Sequence, residues 1–146
     1  MVPGLYRTRG TRAPASASVV AQARSGAVAY AQSVGADRDV CESVRLAVSE
    51  AVTNVVMHAY QGMEQGDVLV EAWTTDDGHL CVRVLDEGRG LIPRTDSPGL
   101  GIGFGVMAQV ADNFHVSNRG EPGTVVSLGF LLAGLDPAAH PDRPER

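Results

Sequence analysis

The chain contains no lysine; its twelve basic residues are all arginine. No ammonium group is therefore available as nucleophile or phosphate clamp, and basic help to an anion must come from guanidinium groups. Cysteine is scarce. Cys41 and Cys81 form neither a CxxC pair nor a disulfide framework, which suits a reducing cytosol. No apolar run approaches the roughly 20 residues a membrane helix needs, and no charged-then-apolar leader is visible at the start. The formal net charge of −5 excludes a globally basic surface for DNA or RNA. Acid is missing from the beginning of the chain, since no Asp or Glu precedes Asp37 while Arg7, Arg9 and Arg12 do. Such an opening is shared by transit peptides and by weakly ordered arms, and a flexible arm over residues 1–14 is the expectation.

What is present suffices for one folded domain. The 146 residues are 44% hydrophobic, enough for a proper core. From about residue 133 the chain turns proline-rich and poorly apolar, which predicts a disordered tail over 133–146. Between these ends, residues 15–34 are rich in Ala and Val, lack proline and stop at Gly35, as a helix would. Asp37 and Asp39 then suit the positive end of a second helix, expected to run to about Tyr60 with Gly62 as its stop. Val44, Ala47, Val48, Ala51 and Val55 recur at three and four, predicting the buried face. Strands are expected over 67–74 and 79–86, joined by a turn with an Asp-Gly signal at Asp77-Gly78. A Gly/Pro/Asp-rich loop follows, then a helix from near Ile102, a strand over 113–118 and a last strand over 124–132. Strands arriving as hairpins predict an α+β two-layer sandwich: a mixed, mostly antiparallel sheet with helices on one face. Trp73 is expected on a strand face, with Met57, Met107 and the valines in the core.

Four stretches carry residue types that chemistry could use. On a helix, Glu50 and Asn54 share a face and His58 lies one turn further. They make either a solvated stripe or oxygen ligands for Mg²⁺, which takes few protein ligands and keeps water and phosphate oxygens. Asp86, Gly88 and Gly90 sit where a strand ends, as an ordinary turn or as a carboxylate that accepts from an exocyclic amine beside a closely approaching backbone. Gly99, Leu100, Gly101, Ile102 and Gly103 lead into a helix, as a hinge or as free N–H groups for phosphate. This is neither a dinucleotide fingerprint nor a Walker loop, because no βαβ unit and no Gly-Lys-Ser/Thr accompany it. Gly123-Thr124 opens the last strand, which is ordinary by itself.

In this order the stretches resemble a known family. "AVSEAVTNVVMHAY" and "DEGRGLIPRTDSPGLGIG" are similar to the GHKL (Bergerat) ATP-binding fold of chaperone and gyrase ATPase domains and of sensor histidine kinase catalytic domains. Within that group the chain is most similar to anti-sigma-factor serine/threonine kinases of the RsbW/SpoIIAB type, over residues 15–132. The resemblance implies a bacterial, cytoplasmic enzyme using ATP and Mg²⁺ to phosphorylate a Ser of a STAS-domain anti-anti-sigma protein. It also implies sequestration of a sigma factor and possible homodimerisation, without nucleic acid or membrane as direct partner. By resemblance, Glu50 is the general base and Asn54 the Mg²⁺ ligand, while Asp86 holds the adenine amino group. Gly88 and Gly90 let the loop pass the base, and Thr124 supports the adenine side. His58, Gly99, Leu100, Gly101, Ile102 and Gly103 belong to the same nucleotide site, and Arg89 and Arg94 are the cations available in a short lid over about residues 89–98. A catalytically weak nucleotide-gated binding protein and a histidine-kinase-like domain acting in trans are the alternatives. The 15–34 helix contains no His, so a complete sensor histidine kinase is not expected.

Overall fold

A computed structural model describes residues 8–89, 100–118 and 123–132, with backbone only at 8–11 and 100–103. The elements run β1 (Thr8–Pro14), α1 (Ala17–Ser33), α2 (Arg38–Asn54), a π-helical turn (Val55–Ala59), β2 (Asp67–Thr74), β3 (His79–Asp86), α3 (Leu100–Val110), β4 (Asn113–Asn118) and β5 (Thr124–Leu131). Three helices lie over one face of a five-stranded sheet of order β1-β2-β3-β5-β4, and every pairing is antiparallel. None of the described helices is long and apolar enough to cross a membrane.

The helix ends follow from local chemistry. Gly35 takes φ +89°, while its N–H donates to Gln32 O and the Ala36 N–H to Ala31 O, closing α1 as a left-handed C-cap does. The Asp37 carboxylate accepts from the Val40 N–H at 2.9 Å and caps α2. Val44, Ala47, Val48, Ala51 and Val52 are all fully buried. The small residues Ala23, Ala27 and Ala31 bury the facing side of α1 and let the two helices pack closely. From the sheet, Val68, Val70 and Ala72 of β2, Leu80, Val82 and Val84 of β3, and Val126, Leu128 and Phe130 of β5 point into the same core.

Two sequence expectations change. Residues 8–14, expected as part of a flexible arm, pair with β2 from Thr8 opposite Trp73 to Pro14 opposite Asp67. The sequence there does not alternate as a strand's should, but an edge strand draws on backbone hydrogen bonds, and Pro is tolerated there. Residues 1–7 and the tail at 133–146 lie outside the described residues. Met57, expected in the core, is 59% exposed, because the π-helical turn carries it past the buried face. Met107 is fully buried as expected, and Trp73 packs on the outer sheet face beneath the Arg83 guanidinium, 4.7 Å from the ring centre.

Candidate functional site

The site begins as the end of an apolar row. The inward residues of β3 run Leu80, Val82, Val84 and then Asp86; those of β5 run Phe130, Leu128, Val126 and then Thr124. The register sets Asp86 directly opposite Thr124, so both side chains stand on the helix-facing side of the sheet. Each is only 5% exposed. A carboxylate at such depth must be hydrogen-bonded, and Asp86 Oδ1 accepts from the Gly88 N–H at 2.9 Å.

The second half of the site is the end of α2. Glu50 and Asn54 lie on successive turns, both half-buried, flanking the face that Ala47 and Ala51 bury. Asn54 is the last residue of α2, and the backbone then widens into the π-helical turn that carries His58. Such turns are rare and concentrate at functional sites.

Three contacts join the two halves. The Arg89 N–H donates to Ala59 O at 2.9 Å, capping a helix-end carbonyl. The Glu87 N–H donates to the Tyr60 hydroxyl at 3.0 Å. The Arg89 guanidinium donates to Gln61 Oε1 at 2.9 Å, which ties that lid cation to the helix end. Gly88 lies so close beneath the turn that a Cβ there would meet Ala59 O at 2.1 Å. The crowding that demands glycine at 88 is thus contact with the protein's own helix end, which the sequence alone did not suggest. Tyr60 and the Ala59 carbonyl likewise carry roles that no local pattern marks. Tyr60 closes the helix motif, but nothing local says what its hydroxyl reaches.

The remaining candidates are placed in part. Leu100, Gly101, Ile102 and Gly103 form the first turn of α3, which packs on α2. The helix starts earlier than the expected Ile102, so Leu100 and Gly101 are helical backbone as well. Gly90, Arg94 and Gly99 lie outside the described residues.

Asn54 tests whether a metal suits these residues. Its amide Nδ2 is buried and has no hydrogen-bond partner among the described residues. An amide can present nitrogen or oxygen by a half-turn of its end group, and an orphaned buried polar atom calls for a partner. An amide oxygen one turn from a carboxylate is a donor set of the hard oxygen type that Mg²⁺ takes. The residues therefore fit the ion.

Helices over one face of an antiparallel sheet, with a buried Asp at a strand end beside a helix bearing Glu and Asn, define a histidine kinase-like ATPase domain. The family model of that description, HATPase_c_2, matches residues 13–130. An ATPase domain implies ATP as its ligand. The chain is 34% identical over 117 residues to an anti-sigma F factor of Clostridium botulinum, covering 73% of this chain and 81% of that one. It is 36% identical over 97 residues to the anti-sigma F factor of Heyndrickxia coagulans, covering 59% of this chain and 66% of that one. The chain belongs to the anti-sigma F factor family of histidine kinase-like ATPase domains.

Solved structures agree on the fold. The RsbU and RsbW domains of a Mycobacterium tuberculosis protein superpose with a TM-score of 0.68 at 21% identity, covering 87% of this chain and 32% of that one. The histidine kinase domain of an Erythrobacter litoralis blue-light activated histidine kinase gives a TM-score of 0.56 at 29% identity, covering 65% of this chain and 46% of that one.

Proposed function

We propose that the chain is an ATP-dependent anti-sigma-factor serine kinase of the cytoplasm. It phosphorylates a serine of a STAS-domain anti-anti-sigma protein and, in another nucleotide state, holds a sigma factor. The observation that carries the reading is the pairing of buried Asp86 with Thr124. The loop after Asp86 is bonded to the end of the helix that bears Glu50 and Asn54. Adenine and phosphates need anchors of these two kinds, a buried carboxylate for the base and hard oxygen donors for the metal.

In this reading Asp86 accepts from the adenine amine and Thr124 supports that side of the base. Asn54 would hold Mg²⁺, which when bound supplies charge neutralisation for the phosphates. His58, the α3 first turn from Leu100 to Gly103, and the glycines at 90 and 99 complete the nucleotide surface, while Gly88 lets the loop close on the helix end. Glu50 takes the proton of the serine hydroxyl as that oxygen attacks the γ-phosphorus. The bond from the γ-phosphorus to the β-phosphate oxygen breaks, and ADP departs with that electron pair.

Incubation with γ-labelled ATP and a STAS-domain partner tests this. Acid-stable label on the partner's serine is expected, and its loss in Glu50→Ala. No transfer by either protein would overturn the kinase and leave a nucleotide-gated binder. Acid-labile label would mark a histidine acceptor instead. Capture of a sigma factor that changes between ATP and ADP tests the second half.

A further inference from the structure

We infer that Tyr60 is a positioning residue for base recognition: its hydroxyl fixes the backbone that carries Asp86. This rests on the proposed contact between Asp86 and the adenine amine. The three N–H groups following Asp86 all have partners. Glu87 N–H donates to the Tyr60 hydroxyl at 3.0 Å, Gly88 N–H to Asp86 Oδ1 at 2.9 Å, and Arg89 N–H to Ala59 O at 2.9 Å. Of these acceptors, Tyr60 alone is a side chain from another element. Its hydroxyl also donates to Asp67 O at 2.5 Å, so one oxygen bridges the first residue of β2 and the residue after β3.

The ring is held as firmly as its tip. A Cβ at Gly66 would lie 2.5 Å from Tyr60 Cε1, so the end of segment 61–66 lies directly against the ring. That segment is itself tied down, with Ala15 N–H donating to Gly66 O at 3.0 Å and Gln65 Nε2 to Ala15 O at 2.7 Å. Burial raises the phenol's pKa above its ordinary value, which keeps the donor proton in place. A hydroxyl with this fixed geometry sets where the backbone after Asp86 stands, and with it the carboxylate. A carboxylate recognising an exocyclic amine must be placed within a few tenths of an ångström to keep a hydrogen bond short.

The test compares ATP with purine riboside triphosphate, which lacks the 6-amino group, by titration of wild type and Tyr60→Phe. Wild type should prefer ATP. Tyr60→Phe should weaken ATP binding by roughly three- to tenfold, the worth of one hydrogen bond, and leave the analogue's affinity unchanged, so the preference collapses. A residue serving stability alone would weaken both nucleotides equally, or neither. A Tyr60→Phe protein that keeps the full preference overturns the role of Tyr60 while leaving Asp86 as the base contact. A wild type without preference overturns the Asp86 reading and this one with it. Should the variant prove too unstable to titrate, amide exchange at Glu87 in the nucleotide-free wild type decides. Glu87 is an exposed residue, so a protected N–H there reports the Tyr60 bond; exchange at the rate of an open peptide overturns the inference.

Discussion

Replacing Gly88 by alanine adds one methyl group at the junction of the two halves of the site. That methyl would lie 2.1 Å from Ala59 O and 2.6 Å from its carbonyl carbon. Carbon and carbonyl oxygen ordinarily approach no closer than about 3.3 Å, so loop and helix end must part by more than an ångström. Neither side yields cheaply, since the obstacle is backbone inside the π-helical turn. The parting breaks the 2.9 Å bond from Arg89 N–H to Ala59 O. The lost bond is worth about 1 kcal/mol and overpacking a further 1–3 kcal/mol, giving roughly 2–4 kcal/mol together. Urea unfolding should show this as a midpoint lowered by about 1–2 M at an ordinary slope. Mg-ATP affinity should fall as well, because Asp86 Oδ1 accepts from the displaced residue. Gly105→Ala is the internal control. Gly105 is exposed within α3, and a Cβ there meets nothing within 4 Å. The same substitution should stabilise that helix by about 0.5–1 kcal/mol. If Gly88→Ala matched wild type in both midpoint and ATP affinity, the close approach of loop to helix end would be refuted.

Other outcomes follow from the same geometry. Glu50→Ala should keep ATP affinity within about twofold while phosphoryl transfer falls by roughly 10²–10⁴, measured as single-turnover label transfer. Asp86→Asn retains an oxygen for Gly88 N–H but loses the charge. Its stability should therefore change little, while ATP affinity falls roughly ten- to hundredfold by calorimetric titration. Burial raises the Cys81 and Cys41 thiols above their ordinary pKa, and nearby acidic residues add to the effect. The native chain thus holds these protons where the unfolded chain releases them, and stability should decline as pH rises above about 8.5. Urea midpoints between pH 7 and pH 10 check the direction, and Cys81→Ala should flatten part of the slope.

How much of this was legible in the sequence depended on range. The turn at Gly35, the Asp37 cap and the apolar face from Val44 to Val55 are encoded within one or two helical turns, so the helix positions hold to within a few residues. Strands β2 and β3 were legible because alternation and the Asp-Gly turn are local too. The motif letters marked Glu50, Asn54, Asp86 and Thr124, and the fold brings Asp86 opposite Thr124. Met57 departs from the α-helical spacing because the segment that carries it turns with a wider ring.

The amino-acid order by itself determined the helices, the central hairpin and the residue types of a nucleotide site, because periodicity and capping act between neighbours in the chain. Only tertiary structure decided that Thr8–Pro14 is an edge strand and that β5 inserts between β3 and β4. It also decided that Gly88 answers to Ala59 and that Tyr60 bridges Asp67 and Glu87. Each of those is a bond or a close contact between segments distant along the chain. No local pattern can state it, since neither partner's sequence carries the position of the other.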